Sequence, residues 1–177
     1  MKLAIVSDSH GNLENISAFL NQIQSDNIDL VMHLGDDFTD TEPIMTAGYP
    51  CSRIPGTWCP AYQDPLIENR RIETYEHWRF LLSHTPMTDP HDLPDDPDPL
   101  QLMTTNKADI FVHGHTHRPE CKTITNGYRL NPGHVKAQTD RGYPATYAIL
   151  DLNSNAIQVK IIELFTQNIY LKQEISK

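Results

Sequence analysis

Short apolar runs that end in polar residues, most of them beside a glycine, constrain this chain more than any other feature. Leu3–Val6 is a continuous apolar run, the pattern of a strand buried on both faces, and it delivers Asp8 and His10. Leu30–Leu34 repeats the pattern and delivers Asp36. Cys51–Ile54 leads past Gly56 to Thr57, Trp78–Ser83 leads to His84, and Ile110–His113 leads through Gly114 to His115 and His117. Between the first two runs, Leu13, Ile16, Phe19, Leu20 and Ile23 recur at helical spacing, which predicts an amphipathic helix through about Ser25. Strand, helix, strand implies a parallel pair with a right-handed crossover. In open α/β sheets, sites form in the crevice beyond the carboxyl ends of such strands.

The remaining sequence extends this plan. Arg71–Tyr75 and Trp78–Ser83 read as two strands joined by a tight turn at Glu76-His77. Residues 86–99 hold five of the thirteen prolines and five aspartates, which excludes helix and central strand and leaves a loop directly after His84. A short helix is predicted over Leu100–Lys107. Asn126-Gly127 between Glu120–Thr125 and Tyr128–Asn131 is a strong hairpin signal. Thr146–Leu152 and Ile157–Leu164 form a last hairpin, and the polar tail 167–177 is expected to be peripheral. No repeat or linker divides residues 1–177, so one domain is expected, a four-layer α/β/β/α sandwich of two mixed sheets with helices outside.

Composition excludes several classes. Fourteen basic against 23 acidic residues leave a formal charge of −9, which argues against a stable grip on nucleic acid. Charged residues at 21 % are ordinary and argue against disorder. No apolar run approaches the roughly 18 residues of a membrane span, so a cytoplasmic protein is expected. Cys51, Cys59 and Cys121 show no CxxC spacing and suggest neither a disulfide framework nor a zinc knot. The informative excess is nine histidines beside many aspartates.

Each candidate residue has an ordinary reading. Asp8 or Asn12 can cap the first helix, Gly35-Asp36 is a common turn, and His84 alone is more often a surface or hydrogen-bonded histidine than a ligand. His115-Thr116-His117 is more specific, because alternate residues of an extended segment face one way. Asp8-Ser9-His10 has the same spacing. Their shared register at strand ends favours one metal centre assembled from distant segments. His33 and His113 lie in apolar strands and read as buried and hydrogen-bonded, whereas His77 and His91 read as solvated.

Asp8-Ser9-His10, Gly35-Asp36, Gly56-Thr57, His84 and Gly114-His115-Thr116-His117 together resemble the signature of the metallophosphoesterases, the calcineurin-like phosphoesterases. Ser7–Asn12 and Leu130–Gly133 are similar to the small bacterial and archaeal phosphodiesterase branch, which is related to the retromer scaffold subunit. The resemblance runs from Lys2 to about Leu164. It implies a first metal on Asp8, His10 and His117, a bridging Asp36, and a second metal on Asp36, His84 and His115. Thr57 stands where the family has an asparagine ligand, and Trp58 where the larger phosphatases have a histidine that serves the leaving group. His134 stands where a serine is more usual and is a candidate to lie near substrate.

Two cations held about 3.5–4 Å apart can clamp the attacking and leaving oxygens of a phosphoryl centre. Mixed Asp and His ligation suits Mn²⁺ first, with Fe, Zn or Ni as alternatives, and disfavours Ca²⁺. The resemblance therefore implies metal-dependent hydrolysis of small phosphoesters, phosphodiesters above all. A phosphomonoesterase, a nucleotide pyrophosphatase or a binding scaffold are the alternatives, and a homo-oligomer is left open.

Overall fold

Residues 1–177 are described in a computed structural model. The chain runs β1 (Lys2–Val6), α1 (Leu13–Ile23), β2 (Leu30–His33), a 3-10 turn (Phe38–Thr41), α2 (Glu42–Thr46), β3 (Cys51–Arg53), a second 3-10 turn (Pro60–Gln63), β4 (Arg70–Tyr75) and β5 (Trp78–Ser83). It continues through α3 (Pro99–Thr104), β6 (Ile110–Val112), β7 (Glu120–Ile124), β8 (Gly127–Asn131), the two-residue pair β9 (Thr139–Asp140) and β10 (Tyr143–Pro144), β11 (Thr146–Leu152), β12 (Ala156–Glu163) and β13 (Ile169–Ser176). Six strands form one sheet in the order β13-β12-β11-β1-β2-β3, and five form another in the order β4-β5-β6-β8-β7. Both are mixed. β1, β2 and β3 are parallel, as are β5, β6 and β8, while the flanking strands are antiparallel.

The apolar run of β1 divides between two cores, as a strand covered on both faces must. Leu3 and Ile5 join Met32, Phe80, Leu82, Val112 and Leu150 between the sheets. Ala4 and Val6 face the other way, against Ile16, Phe19 and Ile23 of α1 and Ile44 of α2. On the far side of the second sheet, Met103 of α3 packs against Leu81 and Phe111. The order of layers is therefore α, β, β, α. Complete burial of a residue such as Phe19 or Phe80 contributes roughly 1.5–3 kcal/mol, so the two cores hold the strand ends in fixed relation.

Local signals account for the helix starts. The Asn12 side chain accepts from Asn15 N at 3.0 Å, which caps α1. Asp98 caps α3 by accepting from Leu100 N at 2.8 Å. The tail, expected to be peripheral, is the outermost strand: β13 pairs along β12 from Ala156↔Ser176 to Ile162↔Ile169.

Candidate metal centre

β1, β2, β5 and β6 all end at the same crevice, and their following residues turn inward. Asp8, His10, Asp36, His115 and His117 have left-handed backbones, with φ of 55°, 49°, 74°, 66° and 61°. Such angles are uncommon away from glycine and mark positions where surrounding structure imposes the conformation, at a cost of order 1–3 kcal/mol each. His84 continues β5 without this turn. Two glycines make the convergence sterically possible. A Cβ on Gly35 would lie 2.4 Å from His84 Nδ1, and one on Gly114 would lie 2.0 Å from Ser7 Oγ and 2.6 Å from Asp8 Oδ2.

The side chains meet by type. His10 Nε2 lies 3.2 Å from His117 Nε2, which is 3.3 Å from Asp8 Oδ1. His115 Nδ1 lies 3.3 Å from His84 Nε2. Asp36 stands between these groups, with Oδ2 3.2 Å from His10 Nε2 and Oδ1 3.8 Å from His84 Nε2. Ligand atoms of Asp8, His10 and His117, and again of Asp8, Asp36 and His84, fall within 4.8 Å of one another. Asp36 Oδ2 and the Thr57 hydroxyl are buried without a hydrogen-bond partner, so the short approach of Oδ2 to His10 is a contact rather than a hydrogen bond. Clustered ring nitrogens beside carboxylates form a donor set that fits a divalent transition-metal cation.

Supporting groups aim the rings. His84 Nδ1 donates to Leu34 O at 2.8 Å, which leaves the Nε2 lone pair directed at the cluster. Asp8 accepts from His115 N at 2.9 Å. His117 Nδ1 donates to Asp140 Oδ2 at 2.5 Å, an arrangement that fixes the tautomer and raises the basicity of Nε2. Asp140 gave no sequence signal, because it sits on a two-residue strand remote from every motif. Replacing Asp140 with Asn should weaken metal binding at the His117 side by about 10–100-fold without unfolding the protein. Calorimetric Mn²⁺ titration of the variant checks this, and an unchanged affinity would remove Asp140 from the centre.

The electrostatics separate the two aspartates. Burial opposes ionisation of Asp8, but its hydrogen bond to His117 and the nearby His84 and His117 charges prevail, lowering its pKa to about 2. Asp36 is pushed up to about 6 by burial and then by the charge of Asp8. Burial holds His10 down at about 4, so its imidazole is neutral near pH 7. Burial also opposes charge on His117, yet Asp8 and Asp140 raise its pKa.

Other expected residues fall as follows. Thr57 is buried beside this cluster, and Gly56 N donates to Asp36 O at 2.9 Å. His134 is fully buried, with Nε2 donating to Tyr143 O at 3.1 Å and its ring centroid 5.5 Å from that of His117. Its contact is with the His117 ring rather than with the open crevice. His33 and His113 are buried as expected, paired with Ser9 Oγ and Gly114 O. Cys59 is buried and accepts from Phe38 N through Sγ at 3.4 Å. His91 is partly exposed, in line with the expected solvation, and Asp89 and Trp58 hold it in place.

Comparison with known proteins decides the family. Residues 1–155 match the calcineurin-like phosphoesterase superfamily domain. The chain belongs to that superfamily. It is 25 % identical over 171 residues to phosphodiesterase YfcE of Escherichia coli strain K12, covering 85 % of this chain and 88 % of the relative. The solved structure of the E. coli phosphoesterase Yfce aligns with a TM-score of 0.73 at 23 % identity, covering 98 % of each chain. Vacuolar Protein Sorting 29 from Cryptosporidium parvum aligns with a TM-score of 0.75 at 19 % identity, covering 99 % of this chain and 98 % of that one. These two structures are similar in fold to this superfamily member. No helix is long and apolar enough to cross a membrane.

Proposed function

We propose that the chain hydrolyses phosphodiesters with two divalent transition-metal ions, Mn²⁺ foremost and Fe, Zn or Ni as alternatives. The observation that carries this reading is the Asp36 carboxylate, which directs one oxygen to His10 and the other to His84. Asp8, His10 and His117 would hold one ion, and His84 and His115 the other, with Asp36 between and the Thr57 hydroxyl within the second group. Bound ions supply Lewis-acid polarisation of the phosphoryl oxygen and activation of water. The residues do the rest: Leu34 O and Asp140 orient His84 and His117, and Asp8 and Asp36 offset the positive charge. With a net charge of −9, the chain needs those cations before an anionic ester can approach. The phosphodiesterase name of the E. coli relative supports the substrate class. We read residues 1–177 as one cytoplasmic domain acting on a small phosphoester, with neither membrane nor nucleic acid as a stable partner.

Metal titration tests the reading, and pH sharpens the test. A metal ion requires the Asp36 carboxylate, whose pKa in the metal-free protein is raised to about 6. Protons therefore compete increasingly as pH falls through that value, and affinity should drop up to about tenfold per pH unit below it. We expect at least one equivalent of Mn, Fe, Zn or Ni in protein purified without chelator. Hydrolysis of bis(4-nitrophenyl) phosphate should be lost with chelator and restored by Mn²⁺. Protein that takes up no metal at saturating Mn²⁺ and neutral pH would favour a binding scaffold instead.

A further inference from the structure

Sorting the nine histidines leaves one imidazole without a role. Four belong to the proposed centre, and His33, His113 and His134 are fully enclosed. His77 lies in the β4–β5 turn, where it lines a separate cavity with Arg79 and Lys177. His91 is partly exposed, on the loop that follows His84.

Its surroundings are built rather than incidental. His91 Nδ1 lies 2.7 Å from Asp89 Oδ1, and its backbone N–H donates to the same oxygen at 3.0 Å. A carboxylate only accepts, so Nδ1 carries hydrogen and Nε2 is the nitrogen left to meet another molecule. The ring sits 4.5 Å, centroid to centroid, from the indole of Trp58, tilted by 59°. Trp58 is 81 % exposed and directly follows Thr57. Two residues before Trp58, Gly56 packs so tightly on Asp36 that a Cβ there would lie 2.5 Å from the Asp36 backbone, which brings the ring seated on Trp58 to the Asp36 side of the centre. Gln63 holds the His91 carbonyl at 2.7 Å, and buried Arg70 grips Asp92 one residue further on.

We propose that His91, oriented by Asp89 and seated on Trp58, donates a proton to the leaving oxygen of the phosphodiester. This rests on the hydrolase reading above. As the bond from phosphorus to the leaving oxygen breaks, its electron pair stays on that oxygen. The Nε2 proton of the imidazolium moves there, leaving a neutral ring whose Nδ1–H still faces Asp89. The attacking water leaves its oxygen on phosphorus, and the proton it releases restores the imidazolium through solvent. Trp58 packs against the ring and Asp89 holds its Nδ1–H, so Nε2 keeps one direction through the step.

A proton donor matters in proportion to the basicity of the leaving group, which gives a test that a merely structural role would not pass. His91→Gln should be assayed, metal-loaded, on methyl aryl phosphodiesters running from 4-nitrophenyl to phenyl. General acid catalysis contributes about 10²–10⁴-fold, so we expect a loss on the order of 100-fold for the phenyl ester and under about threefold for the 4-nitrophenyl ester. Metal content should equal that of the unmodified protein. A second readout needs no turnover: in metal-free protein, ¹H–¹⁵N spectra should show neutral His91 as the Nδ1–H tautomer, and Asp89→Asn should abolish that preference. Equal losses across the series, no loss at all, or an Nε2–H tautomer would each overturn the proposal. Unmodified, metal-loaded protein that cleaves none of these esters while showing the expected tautomer would overturn the hydrolase reading, and the donor role with it. Turnover by the unmodified protein with a His91→Gln loss that does not grow with leaving-group basicity would overturn the donor role alone.

Discussion

Asp36→Asn should produce the largest functional loss of any single substitution, together with a gain in stability of the metal-free protein. One carboxylate directs its two oxygens to His10 and His84, so the amide removes a negative charge from both halves of the centre. Groups that merely support a ligand cost about 10–100-fold in affinity, and loss of a shared ligand should exceed that upper value. Stability moves the other way. A carboxyl whose folded pKa is raised from 3.8 to about 6 is unfavourable in its charged form above that pH, by as much as about 3 kcal/mol at neutrality. The amide relieves that burial cost and the repulsion from Asp8. Melting curves at pH 7, with and without Mn²⁺, check both signs. A metal-free variant that melts lower, or one that retains normal activity, would remove Asp36 from the shared position.

Arg70→Met should give the largest loss of stability. The Arg70 side chain is fully buried, and Nη2 donates to both Asp92 oxygens at 2.8 Å and to Thr85 Oγ1 at 3.0 Å. Nη1 donates to Pro97 O at 3.2 Å, and Nε donates to Ser83 Oγ at 3.2 Å. Removing one partner of a buried pair leaves the other charge uncompensated, at a cost of about 3–5 kcal/mol. For a chain of this size that lowers the melting temperature by roughly 10 °C. The loop carrying Asp89 and His91 should detach, while Asp8, His10 and His117 remain able to bind one metal ion. Arg70→Met with Asp92→Leu should recover much of the loss, since neither charge is then left alone. A single-variant cost below about 1 kcal/mol would show that the pair does not anchor the loop.

The two predictions also mark where sequence patterns stop being informative. Leu3–Val6 is legible because a strand covered on both faces admits only apolar residues, and α1 is legible because its buried stripe has the helical period. The convergence of Asp8, Asp36, His84 and His115 could be anticipated because strand ends share one edge of the fold. Arg70 carried no such signal. An arginine at a strand start is ordinarily exposed, and only the packed structure shows the acceptors that surround this one. Asp140 lies beside His117 through a chain path that no local spacing encodes. The restraint on His91, which is partly exposed as its loop position suggests, is not legible because it comes from Asp89 and from a tilted ring 33 positions earlier in the sequence. β13 was obscured by its exposed edge position, where polar residues alternate freely with Ile169, Leu171 and Ile175.

The left-handed turns at Asp8, His10, Asp36, His115 and His117 bear on how such a centre can vary through evolution. Among residues other than glycine, asparagine, aspartate and histidine are the types most enriched in that backbone region. Aspartate and histidine are also the carboxylate and imidazole donors that borderline metals accept. Glutamate or cysteine could supply a donor atom at these positions, but neither shares the same tolerance for the turn. Coordination chemistry and backbone geometry thus narrow the permitted alphabet independently and reach the same few letters. A substitution that preserves the donor while ignoring the turn fails on conformation, and one that preserves the turn with glycine fails on coordination. The centre can therefore drift mainly where the backbone is relaxed, as at His84 and at Thr57.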